Sequence, residues 1–220
     1  MAHEILYHGS KNIIEKPLFG VGKPYNDYGL GFYCTKDIDL AKEWACVDSL
    51  SDGYANKYEL DTSNLKILDL TSKEFNILNW MAILVNFREF DLNKKVAIKA
   101  KDFLINNYYI DVDKFDIIVG YRADDSYFRF ARDFLNNGIS LQKLEQAMKF
   151  GNIGIQTVLK SKDAFAKLHF IGSKNADKNI YFPKRIARDS NARAQYDDIE
   201  IVGQKEIYLN SIVDGDVKVW

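Results

Sequence analysis

The sequence lacks several features that would assign it to a protein class at once. Its 220 residues contain only two cysteines, Cys34 and Cys46. That is too few for a secreted disulfide framework, and no metal-ligand spacing is present. We therefore expect a reducing, cytoplasmic location. Thirty basic residues oppose 31 acidic ones, which gives a formal net charge of −1, so no overall field favours nucleic acid or an anionic membrane.

Targeting and membrane-spanning segments are not predicted either. The opening MAHEILYHGS has neither the positive nor the apolar region of a signal peptide. The apolar run WMAILV at 80–85 is too short to cross a bilayer. Hydrophobic residues nevertheless make up 47% of the chain, enough to bury a core. We expect one domain over residues 1–200 and a tail of uncertain structure over 201–220.

The common phosphate- and zinc-binding motifs are missing. Gly29-Leu30-Gly31 lacks the third glycine of a dinucleotide-binding turn and precedes a predicted strand instead of following one. Neither GxxxxGK[ST] nor HExxH occurs. Residues 11–30 are instead rich in glycine, proline, asparagine and aspartate, which predicts a long ordered loop of the kind that often carries function.

Apolar periodicity predicts strands and helices in scattered order. Predicted strands span 5–8, 31–35, 54–60, 65–70, 115–120, 153–159 and 169–171. Predicted helices run from Asp37 or Asp39 to about Asp48, over 75–87, 94–107, 125–136, 140–150 and 162–168, and beyond Pro183. Strands mixed with consecutive helices indicate an α+β fold.

Two stretches carry the chemistry, YHGS at 7–10 and GLGFYCTKDIDLAKEWAC at 29–46. Gly9 has no side chain, so a planar amide can approach the backbone there and exchange hydrogen bonds with it. Tyr33 and Trp44 offer two rings that can stack on a flat heterocycle. Taken singly, each feature is more typical of a strand end or a core. Together they favour a ligand with a flat ring and an amide edge, such as nicotinamide.

These two stretches resemble the first two motifs of the ADP-ribosyltransferase superfamily, in its His-Tyr-Glu branch. The resemblance makes Tyr33 the motif tyrosine and places Trp44 where the second stacking tyrosine stands. It implies that His8 and Ser10 hold the adenosine-side ribose and that Gly9 holds the nicotinamide amide. The implied fold is α+β, with split central β-sheets of ADP-ribosyltransferase type and a helical insertion. The implied substrate is NAD.

The chain more closely resembles an uncharacterised group of bacterial domains with such a core, over residues 4 to about 195. By analogy with bacterial relatives, ADP-ribose would pass to a macromolecular target, a protein or a nucleic acid. The setting implied is a toxin–antitoxin or phage-defence system, with an antitoxin protein as a further partner. No membrane partner is expected. Hydrolysis of NAD with water as acceptor is an alternative.

The third motif of the superfamily departs from its usual form. A catalytic glutamate is expected in the stretch IGIQTVLKSKDAFAKLHFIG at 153–172, and Gln156 stands in its place. Glutamine can hold a ribose hydroxyl but adds no negative charge to stabilise the cation that forms as nicotinamide leaves. Three possibilities follow: slower catalysis, a substitute carboxylate, or an NAD-binding module without turnover.

Two further sets of residues are candidates for this site. Substitute carboxylates are Asp124 and Asp125, for which helix capping is the favoured alternative, and more weakly Asp27. Arginine pairs well with pyrophosphate, and the candidates are Arg122, Arg129 and Arg132. Cys34 lies beside Tyr33 on a strand, so its side chain points to the opposite face, and we expect it in the core.

Overall fold

A computed structural model describes residues 3–90, 95–123, 125–148, 154–203 and 205–219. The strands are β1 His3–Ser10, β2 Phe32–Thr35, β3 Gly53–Asp61, β4 Ile67–Asp69, β5 Ile117–Tyr121, β6 Ile155–Leu159 and β7 Leu168–Ala176. The helices are α1 Ile38–Ala45, α2 Ile77–Phe87, α3 Lys95–Tyr108, α4 Asp125–Leu135, α5 Leu141–Ala147, α6 Lys162–Ala166, α7 Lys178–Asp197 and α8 Leu209–Val213. The predicted α+β class is confirmed.

The strands form one sheet in the order β4-β5-β6-β2-β1-β3-β7. Among the strands of the described residues, only β4 and β5 run parallel. The sheet has two halves, because β1 and β2 are joined by the single pair Tyr7 and Thr35, whereas β1 and β3 pair along eight residues. Helices α2 to α5 lie in the chain between β4 and β6. We call the strands on the two sides of this narrow junction half-sheets: β4-β5-β6-β2 and β1-β3-β7.

Helix α1 lies against β1 at this junction. The Asp37 side chain caps the helix by accepting hydrogen bonds from the N–H groups of Asp39 and Leu40. The helix ends at Ala45, before the predicted end at Asp48. A Cβ atom on Gly9 would lie 1.9 Å from the Ala41 carbonyl oxygen, so only glycine allows α1 to pack this closely.

The main core lies around α2, eight of whose 11 residues are buried. Leu209 and Ile212 of α8 belong to the same core, so part of the predicted tail packs on the domain. Cys34 is fully buried in a second cluster on the opposite side of the sheet, which confirms its predicted core position.

Helix α7 is longer than the sequence predicts. It begins at Lys178, five residues before Pro183, because the Asp177 side chain caps the free N–H of Asn179. The prediction of a helix that starts beyond Pro183 is therefore wrong. Within the described part of the chain, no helix is long and apolar enough to cross a membrane.

Candidate functional site

A cavity of about 720 Å³ lies where the loop 11–31 crosses the junction of the two half-sheets. We call it the central cavity. Six of the seven predicted site residues line it: His8, Gly9, Tyr33, Trp44, Arg122 and Gln156. They come from β1, β2, α1, β6 and the end of β5. The fold therefore brings together residues that are up to 148 positions apart in the sequence.

His8 is held in one tautomer by the backbone. Its Nδ1 atom lies 2.7 Å from the Tyr33 carbonyl oxygen. Because a carbonyl only accepts, Nδ1 carries the hydrogen and Nε2 is left as an acceptor. The ring stacks on Phe32 at 4.4 Å between centroids. Burial lowers the pKa of His8, and the Tyr33 carbonyl offsets part of that effect. A neutral imidazole with a free acceptor atom suits a ligand hydroxyl.

Tyr33 fixes the end of the loop through its hydroxyl group. That hydroxyl donates to the Gly29 carbonyl at 2.6 Å and accepts from the Tyr28 N–H at 3.1 Å. Burial raises the pKa of Tyr33, so the group stays protonated. With its hydroxyl held by two hydrogen bonds, the ring forms a fixed wall of the central cavity.

Trp44 forms another wall, beside Gly9. The Arg122 guanidinium lies 4.5 Å from the centre of the indole ring, a cation–π contact. The Trp44 N–H is buried, and no hydrogen-bond acceptor for it is found within the described ranges. Buried donors are nearly always paired in folded proteins, so this N–H is suited to an acceptor atom on a ligand.

Gln156 is hydrogen-bonded to a buried carboxylate. Its Nε2 atom donates to Asp27 Oδ2 at 3.0 Å and to the Tyr121 carbonyl at 3.2 Å. Asp27 is only 6% exposed and also accepts from the Ala123 N–H at 2.9 Å. Arg88 Nη1 lies 3.6 Å from Asp27 Oδ1. The site thus contains a carboxylate, Asp27, which is hydrogen-bonded to the glutamine that stands in place of the expected glutamate.

Two effects act in opposite directions on the pKa of Asp27. Burial raises the pKa, since it disfavours the charged form. The hydrogen bonds from Ala123 and Gln156 and the positive charges of Arg88 and Arg122 lower it in part. These four partners are all donors or cations, which matches an ionised carboxylate.

Positive charge dominates the wall of the central cavity. Five basic side chains line it: Lys16, Lys23, Arg88, Arg122 and Arg185. The one acidic residue among the described lining residues is Asp27. The chain as a whole has a net charge of −1, so this local excess is not a general property of its surface. A cleft with such walls attracts anions.

Other predicted residues lie elsewhere. Ser10 is not among the described residues of the cavity wall; its hydroxyl donates to the Asn12 carbonyl and accepts from Asn56. Arg129 pairs with Asp133 and faces the ring of Tyr196, and Arg132 is exposed. Asp124 and the side chain of Asp125 lie outside the described residues.

Sequence patterns missed several lining residues. Arg88 directly follows α2 and Arg185 lies within α7, where each resembles an ordinary surface arginine. Lys16 and Lys23 belong to the loop. The glycine- and proline-rich composition of that loop is the one signal that could have indicated Lys16 and Lys23. No short motif links any of the four residues to β1 or β2.

These features define a class of protein: an α+β domain with a basic cleft at the junction of two half-sheets. The chain belongs to the family described as "Protein of unknown function (DUF3990)", whose model matches residues 4–170. The match runs from β1 into β7 and ends before residue 195, the predicted limit of the resemblance. Comparison with curated proteins and with solved structures gives no match.

Proposed function

We propose that the protein is an NAD-dependent ADP-ribosyltransferase, with a fold of ADP-ribosyltransferase type. The observation that carries the proposal is the convergence of His8, Gly9, Tyr33, Trp44 and Gln156 on one basic cavity. Each of them belongs to a sequence motif that favours contact with nicotinamide or with a ribose. Their common location supports a shared ligand.

The lining offers complementary groups for the nicotinamide, a ribose and the diphosphate of NAD. Tyr33 and Trp44 supply ring surfaces for nicotinamide, and Gly9 lies beside Trp44. The free Nε2 of His8 can accept a ribose hydroxyl. The excess of basic side chains suits the diphosphate, which carries two negative charges, and arginine binds such groups bidentately. A cavity of about 720 Å³ lies in the size range of small-molecule sites.

The proposed reaction breaks the bond between ribose C1′ and the nicotinamide nitrogen. The bonding electron pair stays with that nitrogen, so the pyridinium becomes neutral nicotinamide and C1′ gains oxocarbenium character. A nucleophile of the target then donates a lone pair to C1′ and releases its proton to solvent or a base. Negative charge placed near the ribose stabilises this transition state.

Exposed apolar side chains at the entrance support a macromolecular acceptor. Leu18 and Val21 line the central cavity and are 63% and 65% exposed, and Tyr25 of the same loop is 64% exposed. Exposed apolar patches of this kind are typical of interaction surfaces. A protein or nucleic acid that covers the entrance would bring its nucleophile to C1′ and exclude water.

Transfer of label from biotin-tagged NAD to cellular protein and nucleic acid tests this function. We expect labelling by the wild type, with loss in His8→Ala and Tyr33→Ala. His169→Ala, which replaces an exposed histidine on β7, is the matched control and should keep activity. Full activity of both cavity variants would contradict the proposal.

Two further measurements separate the alternatives. Free ADP-ribose formed without a target would indicate an NAD glycohydrolase. The presence of Gln156 in place of a glutamate favours a second candidate, a module that binds NAD without turnover. Binding of NAD by calorimetry, with no release of nicotinamide under any condition, would indicate that module.

A further inference from the structure

The side chains of Asp27 and Gln156 form one hydrogen-bonded unit at the wall of the central cavity. Gln156 is 2% exposed and Asp27 is 6% exposed, yet both line the cavity. Both groups that accept from Gln156 Nε2, the Asp27 carboxylate and the Tyr121 carbonyl, are acceptors only. The amide therefore cannot be flipped without placing its oxygen against two other oxygens.

This constraint determines which atom Gln156 can offer to a ligand. Both hydrogens of the NH₂ group have partners within the protein, and no donor to Oε1 is found among the described residues. The amide oxygen is the atom left to accept a hydrogen bond from a ligand hydroxyl. A glutamate at this position would present the same kind of acceptor, so the change to glutamine preserves acceptance and removes only the charge.

Asp27 supplies a charge at hydrogen-bonding distance from that amide. Its Oδ2 receives two N–H donors, and its Oδ1 lies beside Arg88. Both oxygens thus face N–H donors or a cation, the partners that an ionised carboxylate accepts. A carboxylate that polarises an amide strengthens the partial negative charge on the amide oxygen, as linked hydrogen bonds do in a low-dielectric interior.

We infer that Asp27 is the functional carboxylate of this site. It is a positioning residue, because it acts on the ligand through Gln156. This inference rests on the proposed function. A single glutamate would both accept the ribose hydroxyl and supply negative charge, and here two side chains divide these roles. Gln156 Oε1 accepts the ribose hydroxyl, while Asp27 orients the amide and supplies the negative charge that favours the forming cation at C1′.

The pair also predicts an unusual result for Gln156→Glu. The new carboxyl group would face Asp27 Oδ2 and the Tyr121 carbonyl at about the present separations of 3.0 and 3.2 Å. Two carboxylates this close share one proton. The pair would thus carry one negative charge, as the native pair does, so we expect kcat for nicotinamide release to change no more than a few-fold.

Asp27→Asn is the direct test, because asparagine retains an acceptor for Ala123 and Gln156 but removes the charge. With NAD as the probe and the full chain, we expect kcat to fall by about 10²–10³-fold, while the Kd for NAD changes only a few-fold. Asp214→Asn removes an exposed carboxylate paired with Lys99. This control should leave both constants unchanged.

The double variant Asp27→Asn/Gln156→Glu separates charge from structure. With no carboxylate beside it, the introduced glutamate can ionise and restore one negative charge to the pair. We expect the double variant to release nicotinamide faster than Asp27→Asn alone. A purely structural role of Asp27 would give no such recovery, and that result would overturn the inference.

The remaining outcomes distinguish the two proposals. Wild-type kcat in Asp27→Asn, or a gain of about tenfold or more in Gln156→Glu, would overturn the inference alone. Binding of NAD without release by any of these proteins would also overturn it and leave a binding module. Absence of both NAD binding and nicotinamide release in the wild type would overturn the proposed function, and the inference with it.

Discussion

At the scale of single residues, the main feature is a buried charge that costs stability. Burial raises the pKa of Asp27 above its ordinary value of 3.8, despite the donors and cations around it. The folded protein therefore holds this proton more tightly than the unfolded chain. The stabilisation from Asp27 is present below pH 3.8 and is lost as the pH rises through the folded-state pKa.

We predict from this sign that Asp27→Asn is more stable than the wild type at neutral pH. Asparagine keeps an acceptor for Ala123 and Gln156 without burying a charge. The difference in the free energy of unfolding should grow as the pH rises above 3.8, and urea denaturation at several pH values measures it. A difference that is independent of pH would show that the carboxylate does not titrate as described.

A second residue-scale prediction concerns Gly9. A Cβ atom there would meet the Ala41 carbonyl oxygen at 1.9 Å and the Ala45 nitrogen at 2.9 Å. We expect Gly9→Ala to push α1 from β1 and cost about 1–3 kcal/mol in stability. In Gly138→Ala, the nearest atom would be 3.2 Å away, so that control should cost less. Equal urea midpoints for the two variants would contradict the packing argument.

The sequence grouped His8, Gly9, Tyr33 and Trp44 as candidates for one site, because each lies within a short motif whose spacing is local, and all four line the central cavity. It could not predict the hydrogen bond between Gln156 and Asp27, which are 129 positions apart. That contact depends on how the loop crosses the sheet. In the sequence, Asp27 is a weak candidate because it lies among turn-forming residues. Only the fold shows that it lies beside Gln156 of β6.

At the scale of elements, α1 and α7 are joined by a buried ion pair. Arg188 Nε and Nη2 donate to Glu43 Oε2 and Oε1 at 2.7 and 2.8 Å, and Glu43 is 3% exposed. Glu43 precedes Trp44 on α1, and Arg185 lies one helical turn before Arg188 on α7. The pair thus fixes the two helices that carry these wall residues of the central cavity.

We predict that Glu43→Ala costs about 3–5 kcal/mol in the free energy of unfolding, because it leaves a largely buried guanidinium without its carboxylate. Asp214→Ala breaks an exposed pair with Lys99 and should cost at most about 1 kcal/mol. Urea denaturation of both variants compares them. Similar costs would show that the pair between α1 and α7 is no more important than a surface contact.

Most helices and strands could be predicted from the sequence, but their boundaries were predicted less accurately. Periodicity placed α2 and α3 within two residues of their observed ends, since long buried helices give a strong pattern. Helix α7 was predicted to start too late because Pro183 suggests a boundary, whereas the Asp177 cap lies farther upstream. The short helix α8 was missed, since only tertiary packing of Leu209 and Ile212 defines it.

At the scale of the whole molecule, the charge distribution predicts a dependence on salt. The chain is nearly neutral, yet five basic side chains line the central cavity. Salt screens such interactions over about 10 Å at 0.1 M ionic strength. We expect the affinity for NAD to fall as sodium chloride is raised. Nicotinamide riboside, which lacks the diphosphate, should not lose affinity. Equal salt dependence of the two ligands would argue against a diphosphate site.

We propose that the cavity between the half-sheets binds NAD, and calorimetric titration of NAD into the full chain measures this binding. We expect saturable binding to one site, with weaker binding in Trp44→Ala, because that variant removes a stacking surface. Binding should also raise the melting temperature as ligand occupancy increases. No heat of binding and no thermal shift at millimolar NAD would contradict the account.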